Sequence, residues 1–400
     1  MKKKVLVVSY RIPYPLNYGF SIRAYNICKL LSKEYNLDLL TISEGKIPVE
    51  HIEALKKIFG KVTIFSHPKI KFWLNAFRGL ILGDSLQTHY HLFHDAKNWL
   101  LSHYREYDLI FGVHMRMGHY LNVIKDIPVA IDFIDAVSLN YQEAGKVSNG
   151  TWGVICRIEA SKSLRSELQM IKTVRKAFVS SQYDLNWWEQ ATGGKFSNLS
   201  VLPNGVKEEL FERPINPVEE QDAIFFIGSL NYPPNVDGIC YFAEKVFPLI
   251  QEKAKVELII VGTNPVTKVM ELQKSEGIKV LGYVPDPYVY MERAKVCIAP
   301  LRFSSGIQNK VLESMCLSKP VVMTSKASRG IEGKDGVHFV VADEPEQMAF
   351  KILELFADEK KRRAIGQNAR DLIFQKYRWG KIGEALYREL EEVFEKNGSC

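Results

Sequence analysis

What most limits the fold of this chain is a recurring pattern. Short apolar runs of four to six residues alternate with stretches of helical periodicity from one end to the other. A first series comprises Lys4–Ser9, Leu37–Ile42, Val62–Phe65, Asp108–Val113, Val129–Phe133, Ala177–Ser180 and Leu199–Leu202. A second comprises Ala223–Ile227, Val256–Val261, Ile278–Leu281, Val296–Leu301, Pro320–Thr324 and His338–Val341. Runs apolar at every position suit strands buried on both faces, and helices between them supply the crossovers of a parallel sheet. The expected class is α/β, with two tandem Rossmann-like domains facing a cleft. Ligands of such sheets sit beyond the carboxyl ends of the strands, where the strand order reverses.

The expected boundaries are 1–205 for the first domain, 206–376 for the second, and 377–400 for a C-terminal helix packing back toward the first. The junction is read as an acidic linker, Val206–Asp222, containing Pro214 and Pro217. Four hundred residues are ample for this plan. The six cysteines show neither paired nor metal-type spacing and read as reduced core thiols, which points to a cytoplasmic chain. Met1-Lys2-Lys3-Lys4 leads straight into a short strand, so no secretory leader is expected, and no run is long enough to span a bilayer. Charge is uneven: residues 1–205 carry 26 Lys and Arg against 17 Asp and Glu, a net of +9, while the remainder is at −2. A basic half attracts an anionic lipid surface or an acidic acceptor. Lys360-Lys361-Arg362-Arg363 reads as a solvated helix face, and no nucleic-acid partner is expected.

The chemistry concentrates in Pro300–Glu313. The apolar run Val296–Leu301 empties into Ser304-Ser305-Gly306, and a helix is expected over Ile307–Leu317 with Ile307, Val311, Leu312 and Met315 inward. Ser304 or Ser305 is the expected cap, and Gly306 lets backbone approach a ligand. The first turn carries Lys310 and no acid, with Arg302 just upstream. Cations oppose the dipole at a helix start unless an anion lies among them. Glu313, three residues on, points to the same side and suits ribose hydroxyls. A capped surface helix with a Lys–Glu pair is the plainer alternative.

Several short stretches resemble the GT-B glycosyltransferases, in particular the retaining family 4 enzymes that include bacterial surface-polysaccharide transferases. They are Pro13-Tyr14-Pro15 through Gly19, Arg23-Ala24-Tyr25-Asn26, Val201-Leu202-Pro203-Asn204-Gly205-Val206, Phe226-Ile227-Gly228-Ser229-Leu230, and Gly306 through Glu313 followed by Gly330-Ile331. The resemblance implies a hexosyltransferase-type reaction, in which a sugar moves from a nucleoside-diphosphate sugar to a hydroxyl of a glycan or lipid-linked acceptor. It implies donor-binding roles for Gly228, Ser229, Tyr283, Val284, Ser305, Gly306, Ile307 and Glu313. Gly19 falls on the acceptor or donor-sugar side, and His114 resembles the histidine that contacts the transferred sugar. Neither a cofactor nor a metal is expected, since no Asp-x-Asp motif is present and Arg302 and Lys310 can serve the leaving diphosphate. Two departures stand out: Ser305 replaces the first of the family's two glutamates, and Ser229 follows Gly228 where many members carry Arg, with Asn231 and Asn235 near the family's Lys position.

Other residues have two readings each. His114, at a strand end, is either functional or a packed spectator, and His119 and the other histidines are read as without a role. Asp132 and Asp135 either face an acceptor or position His114, or else cap the next helix. Ile70–Ile81 mixes aromatics, aliphatics and cations, as either a membrane-surface helix or a core helix with snorkelling lysines. The membrane reading places the protein on the inner face of the membrane. Rival functions are a GT-B sugar-nucleotide 2-epimerase and a non-catalytic nucleotide-sugar binder.

Overall fold

The computed structural model describes residues 2–16, 18–148, 150–213, 219–303 and 306–395. Two compact units emerge: Met1–Pro203 with Ile382–Cys400, and Asn204–Lys381. The first holds β1 (Lys4–Ser9), β2 (Asn36–Glu44), β3 (Val62–His67), β4 (Leu109–Val113), β5 (Val129–Asp132), β6 (Lys176–Val179) and β7 (Leu199–Val201). These form one parallel sheet in the order β3-β2-β1-β4-β5-β6-β7. The second holds β8 (Gln221–Ile227), β9 (Glu257–Val261), β10 (Ile278–Gly282), β11 (Ala294–Ala299), β12 (Val321–Met323) and β13 (Val340–Val341). Its parallel order is β10-β9-β8-β11-β12-β13. Both sheets follow the Rossmann plan, and the fold is GT-B. Every expected strand is present, with ends that agree to within two residues.

The apolar runs are buried as their composition requires. Val5, Leu6, Val7 and Val8 of β1 and Ile224, Phe225 and Phe226 of β8 are almost wholly out of water. Cys28, Cys156, Cys240, Cys297 and Cys316 are free and buried, while Cys400 lies outside the described residues.

Two expectations are corrected. The stretch after Gly205 is part of the second unit, not a linker. Val206 bridges to Arg378, Glu208–Glu212 is helical, and Val206 and Leu210 are buried; Pro214 and Pro217 lie outside the described residues. Arg362 is not on a solvated face. It is buried, donates to Glu220 at 2.7 Å and to the Leu355 carbonyl at 2.8 Å, and shares Glu220 with Lys319 at 3.0 Å. The helix after β1 spans Gly19–Glu34, so Gly19 is its first residue. The helix Lys69–Leu82 packs only a narrow edge, Phe72, Ala76 and Gly79. Its apolar side faces water, with Ile70, Trp73, Phe77 and Ile81 each about 60–70% exposed. That is not the burial pattern of a core helix.

Candidate active site

The second sheet reverses its strand order between β8 and β11. Gly228 and Ser229 are the first residues beyond β8, and the chain leaving β11 passes through Arg302 to Gly306, Ile307 and the helix Asn309–Cys316. The expected anion-binding stretch therefore lies at the switch point of its own sheet.

Close approach rather than side-chain packing shapes this end of the sheet. The Gly228 amide donates to the Val261 carbonyl at 3.1 Å, and a Cβ on Gly262 would stand 1.7 Å from the Gly228 carbonyl oxygen. A Cβ on Gly228 would lie 2.7 Å from Asn235 Nδ2 and 3.1 Å from Lys310 Nζ. Gly330 is equally constrained, since a Cβ there would meet the Gly306 carbonyl oxygen at 2.7 Å. Gly306 itself has φ 62°, a left-handed conformation that glycine adopts without strain.

Lys310 reaches back across this floor. Its ammonium donates to Asn235 Oδ1 and lies 4.6 Å from the centroid of the Phe226 ring. Asn235 is buried and donates from Nδ2 to the Ser229 carbonyl at 3.0 Å, so one amide joins the cation to the loop after β8. Burial pushes the Lys310 pKa down to about 7, against a smaller upward pull from Glu313. Among the described residues the carboxylate nearest in sequence offers only that partial compensation. Lys310 is thus a half-buried cation at the floor of this loop. Glu313, one turn deeper, receives a hydrogen bond from Tyr288; burial raises its pKa while Lys207 pulls it down. Asn204, from the junction motif, donates to the side chain of Asn309 at 2.8 Å and so ties that motif to the first residue of the helix.

The structure modifies the sequence reading here in three ways. The helix begins at Asn309, with Gln308 as its cap residue and no side-chain cap bond among the described residues, so Gly306 and Ile307 belong to the loop before it. Ser304 and Ser305 lie outside the described residues. Arg302 is not a free cation: it forms a two-pronged pair with Asp237, Nε to Oδ2 at 2.7 Å, and lies over Tyr241. Ile307, Val311, Leu312 and Met315 are all buried, as their spacing predicts. Of the remaining donor candidates, Ser229 hydrogen-bonds Asn231, Tyr283 presents a largely exposed ring, and Val284 packs partly against the core. Sequence reasoning missed Tyr288 and Lys207 as partners of Glu313. No spacing rule links them to it, because they come from different elements.

In the first unit the order reverses between β1 and β4, and Tyr10 and His114 stand at those strand ends with ring centroids 5.0 Å apart. His114 has φ 73° and ψ 148°, a backbone region that disfavours any side chain. Its amide donates to the Asp132 carbonyl at 2.7 Å, and Nδ1 accepts from the Arg116 amide at 3.3 Å. Burial, with Arg116 and Arg11 nearby, holds its pKa well below 6.5. The ring is therefore neutral, and with Nδ1 accepting, Nε2 carries the proton. Arg116 lies over Tyr10 at 4.4 Å and donates to Gln87 at 2.9 Å. Asp132 does not cap the next helix, whose cap position is Ala136. It forms a buried two-pronged pair with Arg23, at 2.8 and 2.9 Å, and accepts from the Ile134 amide at 3.1 Å. Asp135 is half-buried and accepts from Asn140 at 3.1 Å, and Gly19 is exposed.

Residues 221–358, which include Gly228, Lys310 and Glu313, match the family described as glycosyl transferases group 1. That stretch is similar to the group 1 glycosyltransferases. A curated relative, the lipopolysaccharide 1,2-N-acetylglucosaminetransferase of Salmonella typhimurium, is 22% identical over 246 residues, 55% of this chain; the chain spans 63% of that relative's length. Among solved structures, sucrose-phosphate synthase from Thermosynechococcus elongatus superposes with a TM-score of 0.71 at 14% identity, covering 99% of this chain and 100% of the other. HepE from Anabaena in complex with UDP gives 0.70 at 17% identity, covering 98% and 100%. At these identities the structures establish the shared fold around the group 1 domain.

Proposed function

We propose that the protein is a retaining glycosyltransferase that moves a sugar from a nucleoside-diphosphate sugar to a hydroxyl acceptor in cell-surface glycan assembly. The observation that carries this reading is the half-buried Lys310 ammonium, held by Asn235 against side-chain-free Gly228 at the switch point of the sheet that matches the group 1 family. A diphosphate arriving there meets a positioned cation, the approachable backbone around Gly306 and the start of a helix. Stabilising the departing diphosphate is the main chemical task, and no carboxylate nucleophile is required for it. A front-face route follows, in which the leaving-group oxygen helps to deprotonate the acceptor and the anomeric configuration is kept. Glu313, oriented by Tyr288, is assigned to the ribose, and Tyr283 to stacking on the base. HepE, of the same fold, has been crystallised with UDP-glucose, which makes a uridine donor the first to test. His114, neutral with its proton on Nε2, is assigned to donate a hydrogen bond to the transferred sugar, with Gly19 and Asp135 on the same side. Arg302, paired with Asp237, is not assigned a direct contact with the diphosphate.

The exposed side of Lys69–Leu82 supports a location on an anionic membrane surface. Among the described residues no helix is long and apolar enough to cross a membrane. This helix instead presents Trp73, Phe77 and Ile81 to water beside exposed Lys69, Lys71 and Arg78, the mixture that lies in a lipid interface. A lipid-linked acceptor would then be presented at that surface. Flotation with anionic vesicles at low salt is expected to carry the protein up and Phe77→Asp to leave it behind; equal behaviour of both proteins removes the membrane assignment.

The donor assignment is tested by a thermal-shift panel of UDP-, GDP-, ADP- and dTDP-sugars. At least one is expected to stabilise the protein, with smaller shifts for Lys310→Ala and Glu313→Ala. Proton NMR of the product with a hydroxyl acceptor then reads the anomeric outcome. A C2 epimer formed from UDP-N-acetylglucosamine alone would select the epimerase reading, and tight binding without turnover the non-catalytic one.

A further inference from the structure

Three side chains converge just beyond the exposed helix of the first unit. Asp84 follows that helix after the left-handed Gly83, His89 lies in the helix Leu86–Tyr90, and His119 lies in the helix Gly118–Leu121. His89 Nδ1 is 3.1 Å and His119 Nε2 3.9 Å from the same oxygen, Asp84 Oδ2, and the two imidazoles meet edge to face at 4.9 Å. All three candidate donor atoms fall within 4.8 Å of one another.

Both ring nitrogens are buried, and neither has a properly aligned hydrogen-bond partner among the described residues. At 3.1 Å, His89 is near enough to Asp84 for an ion pair, yet the carboxylate oxygen is out of line for an N–H donor. Two buried nitrogens left without a partner beside one carboxylate oxygen are costly as they stand. A cation among the three atoms would satisfy them together. Gly79 makes the arrangement possible, because a Cβ there would meet His89 Cβ at 2.4 Å. Asp84 keeps its side chain 45% exposed, which leaves the cluster open to solvent on one side.

We propose that Asp84, His89 and His119 bind one divalent transition cation of the zinc type, with water completing the coordination. The donor set, two neutral imidazoles and a carboxylate, is of zinc character and not that of calcium or magnesium. In a tetrahedral site the donor atoms stand roughly 3.3–3.5 Å apart. The 3.1 and 3.9 Å separations bracket that value, and the imidazole pair closes by side-chain rotation. The cation fastens the base of the exposed helix to the segment that begins five residues after His114. It is remote in sequence from the group 1 domain, and its role is structural, so the proposal stands or falls independently of the donor-site assignment.

The full-length protein is stripped with a chelator, dialysed and titrated with zinc in competition with a chromophoric chelator. The expected result is about one equivalent bound per chain, with a rise in thermal midpoint on loading. His119→Gln and Asp84→Asn, both at partly exposed side chains, are expected to weaken binding at least about tenfold, and His89→Ala with His119→Ala to abolish it. Circular dichroism checks folding; should the double variant not fold, the two single variants decide. Absence of zinc binding by the unaltered protein overturns the proposal, as does equal binding by His119→Gln and Asp84→Asn.

Discussion

The two sheets share a strand order yet finish their switch points by opposite means. In the second unit, side chains are removed: Gly228, Gly262 and Gly306 bring backbone so close that no Cβ fits at the first two, and Lys310 is the cation at that floor. In the first, a side chain is forced into place. His114 holds φ 73° and Ile134 φ 72°, and beneath them Arg23 and Asp132 form a fully buried ion pair. A diphosphate spreads its charge over several oxygens and is served by open backbone and a cation. On the proposed reading, a single sugar hydroxyl is served by one aimed donor, and aiming His114 requires strain.

The contrast can be broken most severely at the buried pair. Arg23→Ala leaves Asp132 uncompensated, and the expected loss is about 3–5 kcal/mol of stability, read from denaturant unfolding. A loss under about 1 kcal/mol would mean that the pair does not anchor the strand ends. The next largest effect is on the donor side, where Lys310→Ala is expected to lower kcat about 10²–10³-fold with little change in stability, as measured by steady-state kinetics.

The same lysine sharpens the comparison through pH. With its pKa near 7 in the free protein, Lys310 loses charge as pH rises from 6 to 8.5. Nucleotide-sugar affinity is expected to fall over that range by up to about tenfold per unit above 7, and Lys310→Arg to flatten the profile in calorimetric titrations. The folded-state pKa lies below the unfolded one. Between pH 7 and the ordinary lysine value the unfolded chain therefore holds more protons, and the ligand-free protein gains stability as pH rises. The smallest effect belongs to the strained histidine. His114→Gly is expected to be about 1 kcal/mol more stable than His114→Ala by urea unfolding, since glycine accepts that backbone, while turnover falls in both.

Much of the fold was legible because buried parallel strands write themselves as continuous apolar runs. Lys4–Ser9 was delimited to the residue, and the inward face of the helix after Gly306 followed from its spacing. The helix start was misplaced by two residues, since Ser304 and Ser305 offered capping chemistry and Gln308 offered none. Arg302 read as a free cation because its partner, Asp237, lies 65 residues away. Arg362 read as surface because a four-cation run conceals the one member that turns inward to Glu220.

The sequence alone determined the alternation of strands and helices, the division into two Rossmann-like halves, and the placement of Lys310 and Glu313 on one side of a helix, all consequences of local periodicity. The tertiary structure decided which charges are free and which are spent. It paired Arg302 with Asp237 and Asp132 with Arg23, left Lys310 beside Asn235 and Gly228, and gathered Asp84, His89 and His119 from a loop and two helices. Electrostatic partnership depends on distance in space and on burial, and neither is written in the order of residues along a chain.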